Sequence, residues 1–390
     1  MTEKLYYTKP HLSTFDATVQ SCRKTSDGLF ELIFDQTAFF PEGGGQPSDK
    51  GFITYDGTRF EVIYLYEKNE EVIHTVAAQI PVGARIEGTI DYELRFRRMQ
   101  NHSGEHIISG IAHALYGCNN VGFHMGSDEI TLDFDKELDQ NQLTNIESVA
   151  NEAVYKNIRL ITKFPTPEEL SHIDYRSKKE LSGTVRLVYV EDYDICACCA
   201  PHVERSGEIG IIKILGAMKY KGGVRLRILC GMDALEHYRS SLESIKSISV
   251  LLSAKQNEIY PAVKYLSSEL ALERAKTDKV RERLALCMLE SLKATEGNIV
   301  IFDDMLENAS RRALANGGAE KCSGICAVFT PNDSGFSYVM ASVHVDLRSV
   351  SKQINADLCG RGGGSATMIS GSTPLTRGQI EKIFGEKNYG

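Results

Sequence analysis

Two pairs of side chains that can ligate a metal lie far apart in the sequence, and a fold that uses both must bring them together. His102 and His106 are four residues apart in a segment with the apolar spacing of a helix, which we expect to end at Gly117. Their side chains therefore share one helix face. Much later, Cys198 and His202 repeat this spacing in a loop between predicted strands. Three histidines and one cysteine are donors that zinc prefers in tetrahedral geometry, so the sequence predicts one zinc ion per chain.

The cysteine that ligates this metal is not decided by spacing alone. Cys198 lies four residues before His202, whereas Cys199 lies three residues before it, and a metal site can use either spacing. Cys196 fits a small buried side chain better than a ligand. A papain-like cysteine nucleophile is a further alternative, but three clustered cysteines beside a histidine favour a metal over a single activated thiolate. We therefore expect Cys198 to ligate and leave its neighbours open.

The histidine segment also fits a second kind of zinc chemistry. The letters HSGEH at residues 102–106 match the HxxEH pattern of inverted zinc peptidases, in which Glu105 would be the general base. A peptidase of this kind normally takes a downstream glutamate as third ligand, and it would leave Cys198 and His202 without a role. The peptidase is therefore the less favoured interpretation, while Glu105 stays a candidate catalytic residue.

Changes in the hydrophobic pattern divide the chain into four predicted domains. Residues 1–92 contain short alternating segments separated by turn signals, which is typical of a β-barrel. Residues 93–231 combine the histidine helix with strands in an α/β domain. Residues 232–295 are helical, and residues 296–390 return to an α/β pattern. The expected fold class is α+β multidomain: an N-terminal β-barrel, a metal-binding α/β domain, a helical hairpin and a C-terminal α/β domain.

The helical region carries apolar residues at seven-residue spacing. They are Ile245, Leu252, Ile259 and Leu266. A stripe of this kind buries itself against another helix of the same chain or against a second chain. Pro261 is predicted to start the second helix of a hairpin. A homodimer through the hairpin or the C-terminal domain is therefore one expectation, and a hairpin packed on its own chain is the other.

Composition limits the class of protein and its compartment. The chain has 42% hydrophobic and 25% charged residues and no long apolar run, so we expect no membrane span. The N-terminus lacks the apolar core of a signal peptide, which favours a cytoplasmic location. Ten scattered cysteines then indicate metal or catalytic roles rather than disulfides. The net charge of −8 disfavours a protein that coats nucleic acid, although a local basic face can still bind RNA.

The ordered set of motifs resembles a known family. The HxxxH and CxxxH pairs resemble the editing domain of alanyl-tRNA synthetases, which also occurs in threonyl-tRNA synthetases and in free-standing AlaX proteins. The stretch PEGGGQPSDKG at residues 41–51 resembles the glycine-glutamine motif of the barrel that precedes alanyl editing domains. GRGGGS at residues 360–365 resembles the glycine run of the DHH-associated C-terminal domain. Together these motifs cover nearly the whole chain, which is thus similar to the long AlaX form.

The resemblance implies an enzyme that removes the wrong amino acid from alanine tRNA. It would act in trans, using zinc held by the two ligand pairs, on tRNA(Ala) charged with serine or also with glycine. Gln46 and Glu105 are the expected catalytic residues. The family commonly has glycine, glycine and threonine where this chain has residues 199–201, CAP, so contacts of those positions are not carried over. A tRNA-binding factor whose zinc is purely structural is the alternative from a different class.

Basic residues on both sides of the cysteine motif, together with the glycine run, are candidates for contact with tRNA phosphates. One cluster precedes the histidine pair and another follows the cysteine motif: Arg95, Arg97, Arg98, Lys219, Lys221 and Arg225. Backbone N–H groups of a glycine run can also approach a phosphate closely. The residues expected to do so are Gly362, Gly363 and Gly364.

Overall fold

The computed structural model describes residues 2–126, 129–177, 184–387 and 389. By its internal contacts the chain forms two compact units, residues 1–244 and 245–390. The predicted combination of helices and sheets in an α+β chain is confirmed, whereas the division into four domains stays a prediction. Among the described residues, no helix has both the length and the apolar character that crossing a bilayer requires.

The first unit begins with a sheet that curls until its ends meet. The strands of this region are β1 (Glu3–Lys4), β2 (Thr14–Lys24), β3 (Phe30–Phe34), β4 (Gln36–Thr37), β5 (Gly51–Tyr55), β6 (Thr58–Glu61), β7 (Tyr64–Lys68), β8 (Glu71–Val76) and β9 (Arg85–Ile90). β1 and β4 form a separate short parallel pair. The other seven form one antiparallel sheet in the order β6-β5-β9-β2-β3-β8-β7. The two end strands are consecutive in the chain, and in the short link between them Val62 N–H donates to Gly51 O of β5 and Ile63 N–H to Thr75 O of β8. The curled sheet agrees with the barrel prediction and encloses an apolar core.

A long buried helix follows the curled sheet. Helix α1 (Tyr92–Tyr116) starts where Asp91 accepts a hydrogen bond from the N–H of Leu94, and it ends at Gly117 in the left-handed conformation (φ 62°). The predicted end at Gly117 is therefore confirmed. Most of the helix is buried, including the turn that carries His102 and His106.

Two small antiparallel sheets and two further helices follow this helix in the chain. In chain order they are β10 (Asn120–Met125), β11 (Ile130–Phe134), α2 (Gln140–Lys156), β12 (Leu160–Lys163), α3 (Pro167–Leu170), β13 (Leu187–Val190), β14 (Asp194–Ala197), β15 (Ile212–Tyr220) and β16 (Gly223–Cys230). One sheet has the order β10-β11-β16-β15 and the other the order β12-β13-β14. Helix α1 packs on α2 and on strands of both sheets, so both help to position its side chains.

Two long helices come next, as the sequence predicts. Helix α4 spans Gly231–Leu251 and α5 spans Ile259–Ser291, with Pro261 in the first turn of α5. The predicted heptad residues Ile245 and Leu266 are 41% and 56% exposed, and Leu270 is 52% exposed. The stripe is thus not buried within the single chain, and the homodimer stays a prediction.

The C-terminal part is one five-stranded sheet with helices. Its elements are β17 (Ile299–Phe302), α6 (Asn308–Ala319), β18 (Cys326–Asn332), β19 (Gly335–Ala341), α7 (Leu347–Asp357), β20 (Arg361–Gly364), β21 (Met368–Thr373) and α8 (Arg377–Glu386). The strand order is β17-β18-β19-β21-β20, and only the first pair is parallel. The predicted glycine run is the edge strand β20, and all of its residues are exposed.

Candidate metal centre

Four side chains that are distant in sequence converge at one point in the first unit. The ligand atoms of His102, His106, Cys198 and His202 all lie within 4.8 Å of one another. Cys198 Sγ is 3.5 Å from His102 Nε2 and 3.4 Å from His202 Nε2. Three imidazoles and one thiol within this distance can hold a metal ion, and their chemistry is that of a zinc site.

The two ligand pairs come from very different local structures. The histidine pair stands on adjacent turns of α1, whereas Cys198 and His202 lie in the loop between β14 and β15. This loop is fixed from outside by Arg186, whose Nη1 donates to the carbonyl oxygens of Cys198 and Ala200, both at 2.8 Å. The Cys198 N–H in turn donates to Arg186 O at 3.1 Å. A rigid helix thus faces a loop that one buried arginine holds in place.

Each ligating histidine is oriented by a partner on its outer nitrogen. His102 Nδ1 donates to Gln46 Oε1 at 2.9 Å, and His106 Nδ1 donates to Asp194 Oδ2 at 3.2 Å. His202 Nδ1 is 3.1 Å from Ser103 Oγ. Because the Nδ1 atoms are occupied, the three Nε2 atoms are the nitrogens left to face the centre. Hydrogen bonds of this kind fix the ring orientation and make the imidazole a better ligand.

Burial and neighbouring charges set the protonation states of the centre. Burial opposes the thiolate, but His102 and His202 outweigh this effect and lower the pKa of Cys198 well below its ordinary value. Burial lowers the pKa of His202 to about 3, so its imidazole is neutral near neutral pH. Burial also opposes a charge on His106, but the carboxylates of Glu105 and Asp194 outweigh it and raise its pKa to about 9. The Cys198 thiolate and the neutral His202 are thus in the form that ligates a metal, whereas His106 holds a proton near neutral pH that a bound metal would displace.

Glu105 places a carboxylate beside this centre. Its Oε2 is 3.9 Å from His102 Nε2 and 3.8 Å from His106 Nε2. Its Oε1 accepts hydrogen bonds from Ser109 Oγ at 2.9 Å and from Asn120 Nδ2 at 2.6 Å. The side chain is fully buried. One oxygen is therefore anchored, and the other faces the point where the Nε2 atoms converge.

The neighbouring cysteines take other positions. Cys196 is buried in β14, and burial raises the pKa of its thiol. Its Sγ belongs to a second potential group with His106 and Asp194 on the outer side of that histidine. Cys199 is exposed. Among the described residues, Cys198 is therefore the cysteine that lies with the three histidines, as the sequence-based interpretation expects.

The loop that carries Gln46 connects the curled sheet to the metal centre. It closes as a tight turn, in which Gly43 and Gln46 exchange backbone hydrogen bonds of 3.1 and 3.0 Å. Gly45 has φ 82°, and a Cβ at this position would overlap the carbonyl oxygen of Phe123. Only glycine fits there, because the conformation is left-handed and the neighbour is backbone. The glycines thus let the loop approach closely enough for Gln46, fully buried, to reach His102.

The three arginines expected to contact phosphate before the histidine pair are engaged inside the protein. Arg95 is buried, with Nε 2.8 Å from Asp49 Oδ1 and further bonds to backbone carbonyls. Arg97 forms ion pairs with the carboxylates of Glu93, Asp233 and Glu236 at 2.6 to 3.2 Å. Arg98 donates to Ser48 O at 2.6 Å, and burial lowers its pKa. Their guanidinium groups hold neighbouring segments together, so this arrangement does not favour the predicted phosphate contacts.

The other predicted phosphate contacts lie on exposed surfaces or bind acidic neighbours. Lys219 is 84% exposed at its side chain and lies 3.0 Å from Glu137. Lys221 follows it in the turn after β15, while Arg225 forms two bonds with Asp133 at 2.6 and 2.7 Å. Gly362 cannot carry a side chain, because a Cβ would overlap the hydroxyl of Tyr338. Close packing on the sheet thus explains this glycine, and a phosphate role of the run Gly362–Gly364 stays a prediction.

Two important residues of the centre were not assigned from the sequence. Asp194 and Ser103 orient His106 and His202. The sequence offers one hint of Asp194, which is that it lies four residues before Cys198. This spacing does not show that its carboxylate contacts a histidine on a distant helix. Ser103 is adjacent to His102 and reads as an ordinary helix residue. Both contacts depend on how the helix packs on the sheet.

Two family models of tRNA synthetase domains match segments on either side of the histidine pair. The model of class II (A) tRNA synthetases matches residues 4–94. The model of the threonyl and alanyl tRNA synthetase second additional domain matches residues 185–227, which include Cys198 and His202. The alanyl-tRNA editing protein AlaX-L of Pyrococcus horikoshii is 26% identical over 99% of this chain and 98% of its own length.

Alanine–tRNA ligases are similar over a smaller share of their length. The ligase of Thermofilum pendens is 30% identical over 99% of this chain and 43% of the ligase. The ligase of Halobacterium salinarum is 33% identical over 73% of this chain and 32% of the ligase. The chain therefore spans less than half the length of these ligases, but nearly the whole of the AlaX-L protein.

Proposed function

This chain belongs to the family of long AlaX-type alanyl-tRNA editing proteins, and from that premise we propose that it hydrolyses the ester of mischarged alanine tRNA. The amino acid removed is serine, and glycine is a second substrate. The observation that carries the proposal is the convergence of His102, His106, Cys198 and His202 with the carboxylate of Glu105 beside them. Ester hydrolysis needs an electrophilic centre and a group that takes a proton from water, and this site offers places for both.

Zinc is the metal that the four donors fit best, because a thiolate with three imidazoles is typical of zinc. When bound, zinc supplies a Lewis acid that polarises an ester carbonyl or acidifies water. The three histidines are buried, whereas Cys198 is half-exposed and Cys199 exposed. We therefore place the ester on the side of the cysteine loop, next to the Gln46 turn.

The protein's own groups then have distinct tasks. Glu105 Oε2 accepts the proton of the attacking water, while Ser109 and Asn120 hold the other carboxylate oxygen still. Gln46 orients His102 through Oε1, and its buried Nε2 has no hydrogen-bond partner among the described residues. A hydrogen bond from this Nε2 to the seryl hydroxyl would be lost with alanine, which leaves a buried donor unpaired. Such a site discriminates serine from alanine far better than size alone.

The test is deacylation of seryl-tRNA(Ala), alanyl-tRNA(Ala) and seryl-tRNA(Ser), with and without a chelator. We expect rapid loss of the seryl ester from the first substrate alone, and loss of this activity with the chelator or in His106→Ala. His113→Ala is the matched control, because His113 lies exposed in the last turn of the same helix. Equal hydrolysis of all three substrates would contradict the proposed specificity, and full activity of a zinc-free variant would contradict the metal role.

A second candidate function follows from the number of protein donors. Four protein ligands are typical of a closed structural zinc, whereas catalytic zinc usually has three and an open position. A tRNA-binding factor with a structural zinc therefore predicts tight zinc, retention of tRNA and hydrolysis of none of the three substrates. The same experiment separates the two functions.

A further inference from the structure

A cavity lined by arginines lies next to the metal centre in the first unit. A cavity of about 460 Å³ is lined by side chains that include His202, one of the metal-binding group. Three arginines line it, with Glu204 as the acidic residue: Arg159, Arg186 and Arg205. Their positive charge is concentrated in a chain whose net charge is −8. A pocket of this charge favours an anionic ligand.

Two of these arginines are held opposite each other by the backbone. Arg159 and Arg205 form an isolated antiparallel bridge, and the N–H of Leu160 donates to Glu204 O at 2.9 Å. Directly opposite residues of an antiparallel pair point to the same face, with their Cβ atoms about 5 Å apart. Like charges at such a pair repel each other, and an anion bound between them would remove the repulsion.

The third arginine adds a buried donor. Arg186 is 6% exposed, and its Nη1 is used by the two carbonyls of the cysteine loop. Its Nε is buried without a hydrogen-bond partner among the described residues. Its guanidinium carbon lies 5.1 Å from the ring centroid of Tyr7, which also lines the cavity. A buried guanidinium with a spare N–H costs stability unless a ligand accepts from it.

We propose that this cavity binds a phosphate group through Arg159, Arg186 and Arg205. The proposal rests on the function proposed above. If the protein acts on charged tRNA, the phosphate bound here is the phosphodiester that precedes the terminal adenosine. Guanidinium groups bind phosphate oxygens through paired N–H donors, and three of them can surround one tetrahedral anion. Because His202 belongs both to the cavity and to the metal centre, a phosphate held here fixes the neighbouring ester close to the centre. The arginines are thus positioning residues.

The test compares two minimal substrates with the zinc-loaded full-length protein. One is the seryl ester of adenosine, which has no phosphate, and the other is the seryl ester of the dinucleotide cytidylyl-adenosine, which has a single phosphodiester. We expect kcat/KM to be about tenfold or more higher for the dinucleotide ester, from charge-assisted hydrogen bonds, mostly through a lower KM. In Arg159→Ala and Arg205→Ala this ratio falls towards one. Arg59→Ala, an exposed arginine of β6 outside the cavity, keeps the ratio and is the control.

The outcomes separate this proposal from the function on which it rests. If the wild-type protein hydrolyses both esters and Arg159→Ala keeps the full ratio, the cavity proposal is wrong. If the wild type hydrolyses neither ester, a titration with inorganic phosphate decides about the cavity, and the proposed function fails only if seryl-tRNA(Ala) is not hydrolysed either. Binding that Arg159→Ala abolishes would support a phosphate site for a free anion, and the absence of binding would overturn the site. Phosphate binding with equal hydrolysis of both esters would exclude the tRNA phosphodiester as its ligand.

Discussion

The two carboxylates around the metal-binding histidines differ in the groups that hold them. Both oxygens of Asp194 accept from Arg176 at 2.7 Å, and Oδ2 also accepts from His106. Glu105 is anchored through Oε1, and its Oε2 faces the Nε2 atoms. Asp194 therefore orients a ligand, whereas Glu105 is placed to exchange a proton. The distinction makes the roles of the two residues separable by experiment.

We predict that Glu105→Gln abolishes most of the deacylation and leaves zinc in place. The amide has nearly the same shape but cannot take a proton, so kcat should fall by about 10²- to 10⁴-fold. Zinc content is measured on the purified variant alongside the rate on seryl-tRNA(Ala). Glu93→Gln is the control, because Glu93 is an exposed glutamate of the same helix. A wild-type kcat in Glu105→Gln would remove the carboxylate from the mechanism.

The sequence indicated the donors of the centre better than the residues that orient them. Residue type and four-residue spacing singled out the His102 and Cys198 pairs, because a metal site requires nitrogen and sulfur donors. The structure brings these side chains together. Asp194 and Ser103 could not be found in the same way, since any acidic or hydroxyl side chain can orient an imidazole. Arg95 illustrates the opposite error, in which a predicted contact is not favoured by the structure. An arginine in a basic run gives no sign that it will be buried against Asp49.

At the scale of elements, the position of α1 depends on two glycines that have ordinary helical conformations. A Cβ on Gly104 would overlap Cys230 of β16, and a Cβ on Gly110 would overlap the carbonyl oxygen of Tyr193 just before β14. The helix can therefore lie closer to both sheets than larger residues would allow. This closeness brings His106 within reach of Asp194, so the packing of an element controls a contact of the metal centre.

We predict that Gly110→Ala destabilises the protein and weakens metal binding together. The added methyl group meets backbone, which cannot rotate away, so overpacking should cost about 1–3 kcal/mol of unfolding free energy. Because the same Cβ would press on Asp194, the bond to His106 lengthens and zinc affinity falls. Thermal unfolding and competition with a chelator measure the two effects.

Gly378→Ala provides the matched control for this change. Gly378 lies in α8 with no atom near its would-be Cβ, so alanine there should raise helix stability by about 0.5–1 kcal/mol and leave zinc affinity as it is. An unchanged melting temperature in Gly110→Ala would mean that α1 can move away from β14 without cost. That result would separate helix packing from the geometry of the metal centre.

The periodic helices could be predicted because their signals are local in sequence. Edge strands could not be predicted in the same way, because they depend on pairing with another strand. The apolar spacing and Gly117 gave the histidine helix and its end, and the proline gave the start of α5 to within a turn. The glycine run carries no strand signal in the sequence, yet residues Arg361–Gly364 form the strand β20. Strand formation there depends on pairing with β21, which lacks a local signal in a segment of glycines.

At the scale of the whole molecule, the distribution of charge matters more than its sum. A chain with net charge −8 does not attract RNA through its overall field. Basic groups that could do so are local, among them the arginine cavity beside His202 and exposed residues such as Lys219. Binding of tRNA should therefore rely on a small number of phosphate contacts.

We predict that salt weakens binding of the charged tRNA but leaves the chemical step nearly unchanged. Each neutralised phosphate of a single strand contributes about 0.7 to the magnitude of the slope of log K against log salt, so three contacts give roughly 20-fold weaker binding between about 50 and 200 mM salt. KM for seryl-tRNA(Ala) should rise accordingly, whereas kcat should not. The seryl ester of adenosine, which has no phosphate, should be insensitive to salt in both constants.

The same measurement tests where the contacts lie. Replacing Arg159 and Arg205 together by alanine should reduce the salt slope by about 0.7 if both arginines neutralise one phosphate, and by about 1.4 if each binds its own. Arg59→Ala should keep the wild-type slope. An unchanged slope in the double variant would place the phosphate contacts elsewhere on the surface. A salt effect of equal size on the adenosine ester would show that ions act on the hydrolysis itself, because that substrate has no phosphate to release.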